Sequence, residues 1–408
     1  MTEISAHSAR PRVQSIDILR GLVMVIMALD HVRDFFFTAG VTGTTSSLAL
    51  EPTNLETTTP LLFFTRWVTH FCAPIFVFLA GTSVFLMSQK KSKKQLSGFL
   101  LTRGLWLIVV EVVIITFAWT FNPFYNLVIL QVIWAIGISM VLLGILIWLP
   151  RPLLLTIGAL IVFGHNLLAR PDIADHFKGS LVADLVYYAN FSPHAVNPEK
   201  THFIFIVYAF LPWLGLMILG YGFGQLYGPD VDPARRKKIL IWLGTSLLVL
   251  FLVLRFARGY GDPVPMSEQP RGPVFTFLSF LNVTKYPPSL AFLSVTIGVA
   301  MLALALLENR QSRFTGVFRT YGRVPMLYYI LHFYIIHTIA VVVFFAEGFT
   351  TDQIVTPDNP FLFKPPGMGF GLAGVYLTWL FVVGVLYPVC RWYDRYKSTH
   401  RHWWLSYL

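Results

Sequence analysis

The chain has 408 residues, of which 55% are hydrophobic and 12% are charged, and its mean hydropathy is +0.64. Soluble domains usually contain about 25% charged residues, so this composition excludes an ordinary soluble protein. Continuous apolar runs of roughly 20 residues recur along the whole chain, which is typical of helices that span a bilayer. Because the runs do not alternate, the sequence predicts an all-α polytopic membrane protein rather than a β-barrel.

The net charge of +11 would favour nucleic-acid binding in a soluble protein. Here the basic residues lie mainly in short loops between apolar runs, where they set membrane topology and contact lipid headgroups. We therefore expect membrane lipid, and no nucleic acid, as a partner. The two cysteines, Cys72 and Cys390, both fall within predicted helices, so they indicate neither a disulfide framework nor a zinc cluster.

The apolar runs predict about ten transmembrane helices in a single domain over residues 1–408. They lie near residues 14–37, 60–88, 97–120, 125–149, 152–168, 203–227, 238–256, 287–307, 322–346 and 368–390. The longer loops are predicted on one side of the membrane, as binding loops or plain linkers: 38–59, 169–202, 257–286 and 347–367.

Lysine and arginine cluster on the other side of these predicted spans. They include Arg10, Arg12, Lys90, Lys91, Lys93, Lys94, Arg235, Arg236, Lys237, Lys238, Arg310, Arg313, Arg319, Arg391, Arg395, Lys397 and Arg401. The loop 38–59 contains neither residue type. Because cytoplasmic loops carry the excess of Lys and Arg, the sequence predicts that both termini are cytoplasmic.

The first predicted span keeps ionisable side chains at depth, since Asp30, His31, Arg33 and Asp34 precede its exit from the bilayer. Such groups are costly in a membrane segment and are functional candidates by default. His70 lies early in the antiparallel second span, so we expect His31 and His70 at similar depth. Histidine is the commonest general base, and either Asp30 or Asp34, four residues later on the same helical face, is predicted to orient an imidazole. The alternative is that both imidazoles only form hydrogen bonds within a bundle.

Other polar residues in the predicted spans are weaker candidates. Arg20 lies near the cytoplasmic end of the first span and Arg66 near the outer end of the second. Both suit phosphate or carboxylate binding, although snorkelling to the interface would also explain them. Glu111 is mid-span in the third helix and should face the bundle interior. Gln131 and His165 are predicted to serve packing rather than catalysis.

Two later stretches add polar side chains near the predicted outer side. In NVTKYPPSL, two prolines follow Lys285 and Tyr286 directly, and prolines at a helix start give a rigid entry. We expect Lys285 and Tyr286 at the outer mouth, although an ordinary helix cap would explain them equally well. In YGRVPMLYYILHFYIIH, Tyr328 and His332 fall on nearby turns, and the mid-span position of His332 favours a role in lining a polar cavity.

A family resemblance is carried by the runs SIDILRGLVMVIMALDHVRDFF and THFCAPIFVFLAGTSVFL. They resemble the heparan-α-glucosaminide N-acetyltransferase catalytic-domain family, within a wider group of transmembrane acyltransferases. NVTKYPPSL and YGRVPMLYYILHFYIIH resemble its bacterial members. The resemblance implies that acetyl-CoA donates an acyl group from the cytoplasmic side of the inner (plasma) membrane. A sugar hydroxyl or amine would accept it on the outer side.

The resemblance also implies roles for the candidate residues. His70 or His31 would deprotonate the acceptor or transiently carry the acyl group, and Asp30 would orient the base. Arg20 and Arg323 would bind the phosphates of CoA. The predicted acceptor-binding side chains are Lys285, Tyr286, His332, Tyr328 and Arg66. No HExxH motif or His–Cys cluster is present, so we expect no metal cofactor.

Two other functions remain open at this point. A proton-coupled transporter of a small solute would use the buried Asp, Glu and His residues as a proton relay. It predicts uptake driven by a pH gradient and independent of CoA. A non-catalytic assembly subunit predicts that His31→Ala and His70→Ala leave the phenotype intact. The expected partners are acyl-CoA and a glycan or small-molecule acceptor, and a homodimer is one option for assembly.

Overall fold

The fold is described by a computed structural model for residues 13–38, 52–355, 360–400 and 402–407. It is 71% helix and 4% strand, which confirms a mainly helical protein. The α-helices of the described residues are α1 (Gln14–Phe36), α2 (Pro60–Trp67), α3 (Cys72–Ser88), α4 (Lys93–Val109), α5 (Thr116–Thr120), α6 (Val132–Leu146), α7 (Arg151–Gly164), α8 (Pro171–Ala174), α9 (Leu181–Ala183), α10 (Phe210–Phe223), α11 (Pro233–Ala257), α12 (Pro273–Leu281), α13 (Leu290–Leu307), α14 (Arg313–Arg323), α15 (Pro325–Ala346) and α16 (Leu372–Thr399).

Within the described ranges, seven helical segments are long and apolar enough to cross a membrane. They are Pro60–Ser88, Lys93–Thr120, Arg151–Ala169, Pro233–Ala257, Leu290–Leu307, Pro325–Ala346 and Leu372–Thr399. Three further predicted spans contain α1, which carries more charge, and the shorter helices α6 and α10. The count of about ten spans and the cytoplasmic placement of both termini stay predictions.

Two predicted spans begin in a β-sheet, so the all-helical prediction was wrong at these points. The span 125–149 starts with β1 (Leu127–Leu130), and the span 203–227 starts with β3 (Phe203–Ile206). Together with β2 (Pro193–Ala195), they form a three-stranded sheet in the described chain, in the order β1-β3-β2. β3 pairs parallel with β1 and antiparallel with β2. The hydrophobic periodicity of such short apolar runs does not distinguish a strand from a helix.

The predicted long loops contain short helices where the structure describes them. The loop 257–286 includes α12, and the loop 169–202 includes α8 and α9 as well as β2. Arg10, Arg12 and most of the loop 38–59 lie outside the described residues.

Helix α1 occupies the centre of the fold, and most of its side chains are buried. It packs against α3, α13, α14, α15 and α16. Asp30 and Arg33, near its Phe36 end, are therefore surrounded by protein instead of lipid.

The crossing of α1 and α14 requires glycine on both helices. A Cβ added to Gly21 would lie 1.7 Å from the Phe318 carbonyl oxygen, and one added to Gly322 would lie 1.8 Å from the Asp17 carbonyl oxygen. The two backbones are in direct contact, because no side chain separates them. This close approach fixes the Gln14 end of α1.

The Phe36 end of α1 is joined to the start of α16 by main-chain hydrogen bonds. The Phe370 N–H donates to the Phe36 carbonyl at 2.6 Å, and the Thr38 N–H donates to the Phe370 carbonyl at 3.0 Å. The first and last long helices are thus adjacent and antiparallel, so Gln14 and Thr399 lie on the same face of the protein.

Candidate active site

A small cavity lies beside the Phe36 half of α1. Its volume is about 30 Å³, which is room for about two water-sized groups. The lining combines charged, polar and apolar side chains: Met27, Asp30, His31, Thr69, Cys72, Ala73, Phe76, Gln131, Val132, Tyr208 and Lys285. A space of this size suits a small reacting group, while the rest of a larger substrate would need room beyond it.

Asp30 is held between two arginines. Its Oδ1 lies 2.9 Å from Nη1 of Arg33, one helical turn away, and its Oδ2 pairs with Nη1 of Arg66. The other Nη of Arg66 lies 3.5 Å from the Tyr286 hydroxyl. All of these charges are largely buried, so the carboxylate is the counter-charge that the two guanidinium groups need.

His31 is oriented by a second imidazole. Its Nδ1 lies 2.6 Å from Nε2 of His332, and Nδ1 of His332 lies 3.1 Å from the Tyr328 carbonyl oxygen. A carbonyl oxygen only accepts hydrogen bonds, so Nδ1 of His332 carries its proton and Nε2 is an acceptor. The Nδ1–H of His31 therefore donates to His332. In the neutral pair, Nε2 of His31 is the unprotonated nitrogen.

Aromatic rings hold the His31 imidazole in place. The Phe333 ring stacks on it with centroids 4.2 Å apart, and Trp119 meets it edge-on at 5.5 Å. Packing on two sides restricts ring rotation, so His31 keeps its bond to His332 and its position in the cavity wall.

His70 is close in sequence to residues that line the cavity, but it is not itself a lining residue. It is on the 3₁₀ turn Val68–Phe71, is buried, and meets the Phe292 ring edge-on at 5.6 Å. Its neighbours Thr69 and Cys72 contribute to the lining. The structure therefore brings His31 together with Asp30 and Arg66, while the catalytic role of His70 stays a prediction.

Lys285 brings a positive charge to the cavity from the segment between α12 and α13. Its Nζ lies 5.0 Å from the centroid of the Tyr286 ring and 5.8 Å from that of Tyr208. Lys285 is only 8% exposed, so it is a buried part of the site and not a residue at an open mouth. Both distances lie within the range of cation–π interactions.

Asp262 fixes the segment that carries Lys285. Its Oδ1 accepts from the Thr284 hydroxyl at 2.9 Å, and its Oδ2 accepts from the Thr284 N–H at 3.1 Å and the Ser289 hydroxyl at 2.9 Å. Arg255 donates to the carbonyl oxygens of Phe280, Val264 and Ser279. These bonds order both ends of the segment around Lys285.

Arg20 and Arg323 lie away from the cavity. Arg20 donates to Ser83 Oγ at 3.1 Å and pairs with Asp17 at 3.3 Å, and Arg323 pairs with Asp394 at 3.0 Å. At 1.5 Å per residue, Arg20 is about 16 Å along α1 from His31. Their predicted contact with CoA phosphates stays a prediction, and it would require a ligand that extends along α1.

Sequence reasoning did not find three features of the site. It assigned Gln131 to packing and did not single out Tyr208, yet both line the cavity. It placed His332 near mid-span but not opposite His31. The Tyr328 side chain is buried and its ring stacks on His332 with centroids 5.5 Å apart. One signal was present, because Gln131 is a lone polar residue between two apolar runs.

The described residues contain no group of three or more His, Cys, Asp or Glu side chains that could hold a metal ion. Cys72 and Cys390 are both buried free thiols.

Comparison with known proteins identifies the family. The model of the heparan-alpha-glucosaminide N-acetyltransferase catalytic family matches residues 12–256, which is more than half of the 408 residues. The match includes Asp30, His31 and His70 and ends before Lys285 and His332. No protein of curated function matches the chain. The chain belongs to the heparan-alpha-glucosaminide N-acetyltransferase catalytic family, whose activity is acetyl transfer by a membrane protein.

Proposed function

We propose that this protein transfers an acetyl group from cytoplasmic acetyl-CoA to a sugar-type hydroxyl or amine on the outer side of the bacterial inner membrane. The observation that carries the proposal is the His31–His332 pair at the cavity wall. A buried imidazole with one nitrogen bonded and the other unprotonated is equipped to act as a general base. Family membership supports the acyl-transfer chemistry.

The reaction proceeds by direct attack in this proposal. Nε2 of His31 takes the proton from the acceptor hydroxyl or amine, whose oxygen or nitrogen bonds to the thioester carbonyl carbon. The tetrahedral intermediate then collapses, the C–S bond breaks, and the CoA thiolate leaves. The proton held on His31 passes to the departing sulfur, so the imidazole returns to its starting state.

The charged groups around the cavity have separate roles in this scheme. Lys285 supplies positive charge next to the reacting carbonyl. Asp30 keeps Arg66 and Arg33 in position, and Arg66 in turn reaches Tyr286. His332 keeps the correct tautomer of His31, as the third group does in other base-assisted acyl transfers.

The first test uses purified protein reconstituted in vesicles with acetyl-CoA labelled in the acetyl group, on either side of the membrane. We expect CoA release, with label passing to a sugar acceptor across the bilayer. Label that remains covalently bound to the protein without acceptor would replace direct attack by an acyl-enzyme. Absence of CoA release together with pH-gradient-driven solute uptake would instead establish the proton-coupled transporter.

A further inference from the structure

We propose that Gln131 contacts the acetyl carbonyl through its side-chain amide, and that Glu111 is the residue that positions it. This inference rests on the acetyltransferase function proposed above. It assigns a donor for the oxygen on which negative charge develops in the transition state, a task that Gln side chains perform in other acyl transfers.

The first observation concerns the start of α6. Gln131 is the N-cap residue of that helix, yet in the described chain its side chain makes no capping hydrogen bond. The Glu111 carboxylate takes over this task from a different helix, because its Oε2 accepts from the Trp134 N–H at 2.9 Å. The third residue of α6 is thereby capped by a side chain from another helix, so this cap leaves the Gln131 amide available for other contacts.

The second observation concerns where Glu111 lies. It is fully buried and belongs to a π-helical turn, Val110–Ile115, inserted between α4 and α5. The Thr116 N–H and hydroxyl both bond to the Glu111 carbonyl oxygen across this wide turn. Single π turns inside α-helices occur frequently at functional sites.

Thr116, the residue directly after this turn, anchors the chain on the other side of Gln131. The Ile129 N–H donates to Thr116 Oγ1 at 3.3 Å. Gln131 is therefore held from both directions, because Ile129 before it bonds to Thr116, the first residue of α5, and Trp134 after it bonds to Glu111 in the π turn. Hydrogen bonds on both sides restrict the backbone of Gln131 more than it would be restricted in a free loop.

The third observation is the location of the Gln131 side chain. It lines the cavity together with His31 and Lys285. Neighbouring lining groups are apolar, among them Val132 and Phe76, and they suit the methyl group of an acetyl chain. The Gln131 amide can donate to the carbonyl oxygen while His31 accepts the proton of the acceptor.

The test compares kcat and KM for acetyl-CoA in five variants. We expect Gln131→Leu to lower kcat about 10²- to 10³-fold with little change in KM, as loss of an oxyanion donor does. Gln225→Leu is the matched control, since Gln225 bonds only to the nearby Gly222 carbonyl in the described structure, and it should retain wild-type kcat.

Glu111 is tested by rescue and by a double-mutant cycle. Glu111→Gln keeps an oxygen that accepts from Trp134, so we expect kcat within a few-fold of wild type. Glu111→Leu removes the acceptor and should lower kcat as far as Gln131→Leu does. Combining Glu111→Leu with Gln131→Leu should add no further loss, because both act through the same amide.

The outcomes separate this inference from the proposed function. If wild type transfers acetyl groups and Gln131→Leu keeps its kcat, the inference is overturned while the function stands. If the Glu111→Leu and Gln131→Leu losses multiply, Glu111 is not a positioning residue. If Glu111→Leu does not fold, Gln131→Leu and the Glu111→Gln rescue still decide the matter. Wild type without acetyl transfer overturns both proposals.

Discussion

Two buried histidines in the same aromatic layer use their ring nitrogens differently. His31 gives one nitrogen to His332 and keeps the other without a proton beside the cavity. His337 lies five residues after His332 on α15, and its Nδ1 and Nε2 lie 2.9 Å and 3.0 Å from the carbonyl oxygens of Ala118 and Leu362. Burial of an imidazole therefore does not identify a candidate for proton transfer, whereas the hydrogen-bond partners of its two nitrogens do.

His165 repeats the His337 pattern on another helix. Its Nδ1 and Nε2 lie 2.8 Å and 2.7 Å from the carbonyl oxygens of Ile161 and Pro288. A neutral imidazole donates from only one of its two nitrogens, so each of these rings supplies one main-chain carbonyl group with a hydrogen bond. We interpret them as structural cross-links, in contrast to the proton-transfer role proposed for His31.

The largest expected effect comes from comparing a histidine whose loss should lower activity with one whose loss should lower stability. We expect His31→Ala to lower kcat about 10²- to 10⁴-fold, because the general base is lost. His337→Ala should keep kcat per folded molecule but lower the unfolding free energy by about 1–3 kcal/mol, since a buried carbonyl group loses its hydrogen-bond donor. CoA release and thermal unfolding in detergent measure the two effects. Equal loss of kcat in both variants would break the comparison.

Asp30→Asn should act mainly on stability. It removes the buried counter-charge of Arg33 and Arg66, and breaking a buried ion pair costs about 3–5 kcal/mol. Asp34→Asn is the matched control, because the Asp34 side chain is 36% exposed and such a pair contributes about 0–1 kcal/mol. Thermal unfolding midpoints should differ clearly between the two variants. Similar midpoints would contradict the central role of Asp30.

His332→Phe should have a smaller effect on kcat than His31→Ala. The ring can still stack near His31, but the acceptor that fixes the His31 tautomer is gone. We expect kcat to fall while KM for acetyl-CoA stays unchanged. The pH dependence of kcat, which reports on the His31 base, should also differ from that of wild type. A variant with wild-type kcat and an unchanged pH profile would remove His332 from the mechanism.

The smallest expected effect concerns Lys364, in the segment between α15 and α16. Its Nζ donates to the Asp34 carbonyl oxygen, and burial lowers its pKa from 10.5 to about 8. The unfolded chain then holds this proton up to a higher pH than the folded one, so stability rises as pH increases from about 8 towards 10.5. Thermal midpoints of wild type should rise relative to those of Lys364→Met over this interval. Parallel curves would contradict the assignment.

Sequence reasoning located α1 and its buried charges because local rules were sufficient there. A long apolar run with Asp30 and His31 near its end needs no tertiary information to be singled out as a candidate site. The same holds for the family, since the runs that carry the resemblance are contiguous in the chain.

The partner of His31 could not be predicted in this way. His332 is 301 positions later, and no periodicity or motif states which helices pack together. β1 and α12 were missed for a different reason, because runs of four and nine residues are too short for period-based assignment. Gln131 was assigned to packing because the Glu111 side chain that caps α6 comes from another helix, and the sequence does not show such a contact.

The Asp30–Arg33 pair also bears on the order in which the protein enters its membrane. A charged side chain at the centre of an inserting helix costs about 2.5–3.5 kcal/mol. Arg33 lies one turn after Asp30 and 2.9 Å from it, so α1 carries its own counter-charge before Arg66 has been synthesised. His31 gains its partner only when α15 arrives. Charge neutralisation is therefore early and local, whereas the imidazole pair forms among the last events of biogenesis.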